Sequence, residues 1–428
     1  MIDVQLVKDY LSYHLDEKAV GLVPREVRLG STAGKATTII GPRRAGKTSL
    51  MKEEMARLGS ESSVYLDFED IAIKGASAAE CLRIVAELFT EVSGRRAESV
   101  FLDEIQNLGD WQSFVRTLLD RGYKVYVTGS SSRLLSREIA TQLRGRSRQF
   151  LLLPFSFSEY LLATGNSGIH IGTLSGVGKL KNLLSSYLES GGYPEVVLGR
   201  DSRDRLLGEY RELIFLKDFV EREKAKSIDV ARFVFNFVVQ GFAGEITVRR
   251  IMNAMKSSGV PFGRNTVYDY VERLQDTMVF FFLGRYSPKV SMRAGWPKKV
   301  YLADNGLAWR LSSDKGRLME NVVFLQLKRS QVSNPLDDLY YYRDGRGEVD
   351  FVLKRGAVVI ELLQVTYSER EVADREIKPL LEAGRKLRCR DLKVITWGYE
   401  TVKSFGTQKV AFVPLWRWLL VRKDAPMR

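Results

Sequence analysis

Short β-branched runs punctuate the first third of the chain. Thr37 to Ile40 is one; it breaks at Gly41-Pro42 and a helical stretch follows. A second lies in SSVYLDFED (residues 62–70), and a third in ESVFLDE (98–104), where the apolar run ends on two carboxylates. A fourth runs from Tyr123 to Val127 and stops at Thr128-Gly129-Ser130. From Ser156 to about Lys224 the period becomes helical, interrupted at SGGYPEVV, where Gly191, Gly192 and Pro194 mark a loop. The middle of the chain predicts three helices and two strands. DVARFVFNFVVQ is mostly apolar; TVRRIMNAMKSSG places Val248, Ile251, Met252 and Met255 on one face, with Gly259 past its end. GRNTVYDYVERLQDTM turns Val267, Val271, Leu274 and Met278 inward, and VFFFLGRYS and KKVYLAD read as strands around a basic loop. Near the C-terminus, YYYRDGRGEVDFVLKRGAVVIELLQVTYS predicts two strands flanking a turn at Arg355-Gly356. Period-two alternation there puts Glu348, Asp350 and Val352 on one face of the first strand, and Leu362, Gln364 and Thr366 on one face of the second.

The first strand–loop–helix carries chemistry. Gly41, Pro42, Arg43, Arg44, Ala45, Gly46, Lys47, Thr48 and Ser49 contain G-x-x-x-x-G-K-[ST] in its required setting. Glycines let backbone N–H groups turn inward around phosphate oxygens, and the helix N-terminus adds partial positive charge. Lys47 is expected to bridge the β- and γ-phosphates of ATP, and Thr48 to offer its hydroxyl to Mg²⁺. Asp103 is expected to hold the same cation, and Glu104 to act as general base on the attacking water. Ser130 is the first choice for a polar group touching the γ-phosphate or the water, with Thr128 second. Arg144, Arg146 and Arg148 alternate before the next apolar run, and Arg146 is the favoured transition-state arginine, supplied to a neighbouring subunit of a homo-oligomer.

GPRRAGKTSL, VFLDEIQN, VTGSSSRLL, LRGR and LLPFSFSEYL, in that order, resemble the archaeal and bacterial P-loop ATPases of the AAA+/STAND group. ESGGYPEVV and LMENVVFLQL resemble later motifs of the same family. The resemblance implies an α/β fold with a RecA-like αβα core, a parallel sheet and ATP as nucleotide. LRGR fits the family's LxGR, which supports Arg146 over Arg144.

The expected organisation is a P-loop ATPase core over residues 1–155, a helical lid over 156–225, a winged helix-turn-helix over 226–310 and a nuclease-like α/β domain over 311–428. In the winged helix, Arg264, Thr266, Tyr268 and Arg273 would face a DNA groove, and Lys289, Arg293, Lys298 and Lys299 would neutralise phosphates. The last domain resembles the PD-(D/E)xK nucleases with a degenerate site. Glu320 and Asp350 are present, Gln364 replaces an acid, and Thr366 stands where the lysine belongs, with Lys378 the possible substitute.

Charge agrees with a polyanionic partner: the formal net charge is +14 and the pI about 9.6. Two distant cysteines, Cys81 and Cys389, argue for reduced thiols and no structural zinc. No apolar run approaches the roughly 20 residues of a membrane helix, and Asp3, Lys8 and Asp9 are unlike a signal peptide, so a cytoplasmic protein without membrane contact is expected. With His14 and His170 as the only histidines, His-based catalysis is not expected. The sequence-level reading is a Mg²⁺-dependent ATPase whose cycle controls contact with DNA. The alternatives are a STAND-type signalling switch that binds protein partners and an ATP-dependent nuclease.

Overall fold

The computed structural model describes residues 2–17, 21–129, 143, 145–199, 201–221, 227–287, 297–345 and 347–421. The chain divides into two compact units, Met1–Leu153 and Pro154–Arg428.

The first unit is built on a parallel sheet of β1 (Ala36–Ile40), β2 (Ser63–Asp67), β3 (Ser99–Asp103), β4 (Lys124–Gly129) and β5 (Ser147–Leu151), in the order β2-β3-β4-β1-β5. Every residue of β1 and β3 is buried, as expected of central parallel strands covered on both faces. The helices include α1 (Val4–Asp16), α2 (Lys47–Leu58), α3 (Ala78–Arg83), α4 (Phe89–Ser93) and α5 (Trp111–Asp120). Strand β4 lies between β1 and β3. This order brings the C-terminal ends of β1, β4 and β3 side by side, with Ile40 opposite Gly129 and Leu102 opposite Val127. Those ends carry the P-loop, Thr128 and Asp103. The functional edge of the sheet is therefore set by strand order, the general rule for open α/β sheets.

In the second unit, α6 (Phe157–Ala163), α7 (Leu174–Ser190), α8 (Pro194–Val197) and α9 (Arg203–Leu213) match the helical stretch broken at Gly191-Gly192. Gly191 lies at φ +75°, and a Cβ there would fall 1.7 Å from Oδ1 of Asp304, so only glycine fits. Next come α10 (Ile228–Gln240), β6 (Gly244–Ile246), α11 (Val248–Ser257), α12 (Arg264–Leu274), β7 (Phe280–Leu283) and β8 (Lys298–Leu302). The three strands form an antiparallel sheet in the order β6-β8-β7. Helix α12 ends at Leu274, earlier than the sequence pattern suggests. Met278 is buried in a left-handed turn at φ +57° instead of on the helix face.

The C-terminal part has α13 (Lys315–Ser333), β9 (Asp337–Asp344), β10 (Gly347–Arg355), β11 (Val358–Val365), α14 (Asp374–Leu387), β12 (Leu392–Thr396), β13 (Thr401–Phe405), β14 (Gln408–Pro414) and α15 (Leu415–Val421). The sheet order is β13-β14-β12-β11-β10-β9. Strands β9, β10 and β11 form an antiparallel meander, and α14 then crosses over to bring β12 parallel to β11. The expected face of β10 is corrected by its geometry. The pairing register with β9 shifts between Val349 and Val352, and Val352 joins Val349 in the core formed with Leu362, Leu380 and Val394. A bulge removes the strict alternation on which the sequence pattern relied. Asp350 and Val352 consequently lie in different environments.

Candidate nucleotide-binding site

The loop after β1 wraps tightly. At Gly41, φ is +157°, and a Cβ would lie 2.0 Å from the backbone oxygen of Leu152, which follows β5. Leu152 N–H donates to the carbonyl of Ile40 at 2.7 Å, so this approach is part of the sheet's continuation. The turn is completed by Arg44 at φ +64° and Gly46 at φ +94°, and Lys47 opens α2. The side chain of Lys47 is buried within the loop, its Nζ 3.1 Å from the carbonyls of both Gly41 and Pro42. A cation enclosed by a turning backbone at a helix N-terminus suits a polyphosphate.

Asp103 is the convergence point. Its Oδ2 accepts from the hydroxyl of Thr48 at 2.7 Å and from that of Tyr65 at 2.8 Å, and its Oδ1 accepts from Thr128. The hydroxyl of Thr128 also accepts from the N–H of Glu104 at 3.0 Å. Burial, then the charge of Asp103, push the Tyr65 hydroxyl far above its ordinary range, so it stays a donor. A hydroxyl and a carboxylate side by side at the P-loop form a hard oxygen donor set, which fits Mg²⁺. Thr48 and Asp103 are the residues that would hold it. Glu104 sits at φ +49°, a left-handed conformation uncommon for a residue with a side chain, and its carboxylate accepts from the Gln106 amide.

Three contributors escaped the sequence reading or ranked low in it. Tyr65 is indistinguishable by pattern from any buried strand aromatic. Thr128 ranked below Ser130, which lies outside the described residues. Arg25 is buried, with Nη1 donating to Ala45 O at 2.7 Å and Nη2 to Leu153 O at 2.6 Å. It thereby ties the P-loop to the chain leaving β5. Its sequence signal was one arginine beside Pro24, with nothing to mark it as buried.

Arg146 begins the stretch leading into β5, at the edge opposite the P-loop, where its carbonyl accepts from Ala36 N–H. Its Nη1 pairs with Asp120 at 2.6 Å, and both lie in a cleft with Ser113, Arg116, Thr117 and Leu143. It is about half exposed and does not reach the P-loop of its own unit. Arg144 lies outside the described residues.

The AAA domain family matches residues 33–161. Two families described as domains of unknown function, DUF8612 and DUF4143, match residues 181–317 and 315–418. An uncharacterized protein of Methanocaldococcus jannaschii is 32% identical over 416 residues, covering 94% of this chain and 92% of that protein. The chain belongs to the family of that protein. The AAA domain makes it a P-loop ATPase family. An uncharacterized protein of Haemophilus influenzae is 26% identical over 336 residues, 75% of this chain and 80% of its own length. Among solved structures, AMPPCP-bound DnaA from Aquifex aeolicus matches with a TM-score of 0.28 and 12% identity over 63% of this chain and 86% of that one. Cdc6p from Pyrobaculum aerophilum matches with a TM-score of 0.26 and 11% identity over 68% and 88%.

In this family member the candidate DNA contacts separate sharply. Arg264 and Tyr268 are exposed on α12, the guanidinium of Arg264 5.9 Å from the ring of Tyr268. Arg273 is partly buried and paired with Asp269 at 2.9 Å. Lys289 and Arg293 lie outside the described residues. Lys298 is exposed, but Lys299 corrects the sequence reading. It is 2% exposed, and its Nζ contacts Glu320 at 2.9 Å, Glu348 at 2.6 Å and Asp350 at 2.9 Å. On β8, side chains point alternately to opposite sides, and Lys299 shares with Tyr301 the side that meets α13 and β10. It cannot reach a phosphate.

The degenerate site also has a defined geometry. Oδ2 of Asp350 accepts from Val365 N–H at 2.9 Å. Gln364 accepts from Asp350 N–H through Oε1 at 3.3 Å and donates to Glu376 through Nε2 at 2.9 Å. Lys378 is exposed and pairs with Asp374 at 3.8 Å on its own helix. Among the described residues no group of three or more His, Cys, Asp or Glu side chains is arranged as a metal site. No helix among them is long and apolar enough to cross a membrane.

Proposed function

We propose that this protein hydrolyses ATP in a Mg²⁺-dependent manner and that the nucleotide cycle controls its contact with DNA. The observation that carries the ATPase reading is the meeting of Thr48, Thr128 and Tyr65 on one carboxylate, Asp103, beside the loop that encloses Lys47. Lys47 neutralises charge on the β- and γ-phosphates, and the loop's N–H groups orient them. Thr48 and Asp103 would hold Mg²⁺, which would supply further neutralisation of phosphate charge. Glu104 accepts a proton from the attacking water, and Thr128 fixes the carboxylate of Asp103 and the backbone of Glu104 together. Arg146, unable to serve its own site, acts on the site of a neighbouring copy.

The DNA part rests on the element order α10–β6–α11–α12–β7–β8 with sheet order β6-β8-β7, which is that of a winged helix. Helix α12 exposes Arg264 and Tyr268, while α11 exposes Arg249, Arg250 and Lys256. These side chains lie on one helix pair of a strongly basic chain and suit phosphate contacts. The αβββαβ order from α13 to β12 supports a nuclease-like scaffold without demanding cleavage.

The test is the steady-state ATPase rate of the full chain with and without single-stranded, duplex and branched DNA, at several salt concentrations. Stimulation that fades with salt supports the reading. Turnover indifferent to every DNA form would favour a protein-docking switch, and absence of turnover would remove the ATPase assignment.

A further inference from the structure

The cluster around Lys299 joins three elements that the sequence keeps apart. Glu320 comes from α13, Glu348 and Asp350 come from β10, and Lys299 arrives from β8 of the small sheet. The ammonium lies at 2.6–2.9 Å from all three carboxylates. A solvated surface lysine has no reason to be this enclosed, and a buried Asp350 beside the partly buried Glu320 and Glu348 is unfavourable without a cation. The site is also anchored from behind. Tyr301 donates to Glu320 at 2.6 Å, and Val365 N–H holds the other oxygen of Asp350 at 2.9 Å.

Lys299 meets all three carboxylates; Arg343 also approaches Glu348, at 3.7 Å, but its shorter pair is with Glu245 at 2.6 Å, so the cluster stays short of positive charge. Burial and the neighbouring Asp350 push the Glu320 carboxyl above its ordinary range. Burial alone would lower the basicity of Lys299, but Asp350, Glu320 and Glu348 outweigh it and hold the ammonium well above its ordinary range. A cation site with surplus negative charge and fixed oxygen donors is the chemistry of a divalent ion, yet a lysine fills it.

We infer that Lys299 is a built-in cation. It occupies the carboxylate site formed by Glu320, Glu348 and Asp350, excludes divalent metal from it, and latches the β6–β8–β7 sheet to the six-stranded sheet. This rests on the cluster itself and holds whether or not the protein hydrolyses ATP or binds DNA. It also accounts for a site with acids and no free metal cluster: the charge that the acids need arrives on the protein's own strand. Removing the ammonium leaves a negatively charged cavity between ligands that α13 and β10 still position.

The experiment uses the full-length, nucleotide-free protein titrated with Mn²⁺, with free ion read by electron paramagnetic resonance and folding by circular dichroism. Wild type and Asp350→Asn should bind Mn²⁺ alike, because Asp350 is already engaged by Lys299. Lys299→Ala should bind one additional equivalent, and its unfolding temperature should rise with Mn²⁺. Both gains should vanish in Lys299→Ala/Asp350→Asn. Mn²⁺ binding by wild type that Asp350→Asn abolishes would overturn the inference. So would a folded Lys299→Ala protein that binds no more Mn²⁺ than wild type. If Lys299→Ala does not fold, the comparison of wild type with Asp350→Asn decides alone.

Discussion

The hydroxyl of Thr48 lies 2.7 Å from Oδ2 of Asp103, although 55 positions separate the two residues. The first belongs to the helix that opens at the P-loop and the second ends the strand two places away in the sheet. Their contact makes a testable division of labour among the neighbouring side chains. Lys47→Ala should weaken ATP binding by about 10- to 100-fold, the loss of one charged hydrogen-bond partner. Glu104→Gln should keep binding but lose about 10²–10⁴ in turnover, since the base is gone while Asp103 remains. Nucleotide affinity by fluorescence and phosphate release by a coupled assay measure the two. A Glu104→Gln protein turning over at the wild-type rate would end its assignment as base.

Thr128 and Tyr65 hold the carboxylate of Asp103 without lying on the P-loop. Tyr65→Phe removes one donor from Oδ2 and leaves the ring packed in the sheet. Thr128→Val removes the donor to Oδ1 and the acceptor for Glu104 N–H. Thr128→Val should therefore lower turnover more than Tyr65→Phe, with nucleotide affinity little changed in either. Equal turnover in both variants would mean that the Thr128 bridge to Glu104 does not matter.

Arg146 pairs with Asp120 at the sheet edge away from the P-loop. If it serves a neighbouring copy, Arg146→Ala and Glu104→Gln proteins are each inactive alone and regain part of the activity when mixed. The recovered rate should follow the mixing ratio. Mixtures that stay inactive while forming the same assemblies would assign Arg146 a structural role.

Exposed and buried lysines adjacent on β8 should behave oppositely. Lys298→Ala or Arg264→Ala should each reduce the slope of log K against log salt for duplex DNA by about 0.9. Their folding should be unaffected, because both side chains are exposed. A slope identical to wild type in both variants would take this face out of the DNA interface.

Asp304 gives the second unit a pH dependence. Burial pushes its carboxyl up to about 7, against the N–H groups of Gly192 at 2.7 Å and Gly306 at 2.8 Å, which favour the charged form. The folded state therefore holds a proton that the unfolded chain releases near pH 4. The resulting contribution to stability is complete below about pH 4 and is lost as pH rises to about 7, by up to about 1.4 kcal/mol per pH unit. Glu320, whose carboxyl burial and Asp350 also raise, adds a component of the same sign. Chemical denaturation between pH 4 and 8 should show a shallower pH slope in Asp304→Asn than in wild type, whatever its absolute stability. Superimposable slopes would rule out Asp304 as the source.

The sequence by itself determined the phosphate-loop turn. The loop from Gly41 to Ser49 is contiguous, and its residue types follow from what a phosphate-enclosing turn needs, so the pattern is visible without the fold. The acidic end of β3 was legible for the same reason. The tertiary structure decided which groups support them. Tyr65 and Thr128 reach Asp103 because β2 and β4 flank β3, and strand order is a non-local choice that no single segment encodes. The clearest case is Lys298-Lys299. As sequence, the pair reads as two equivalent surface charges. In the fold, one step along β8 reverses the side on which the chain projects, sending Lys298 to solvent and Lys299 among Glu320, Glu348 and Asp350. A lysine's charge is fixed by its chemistry; whether it is spent on water, phosphate or buried carboxylates depends on what distant strands and helices bring to that side of the strand.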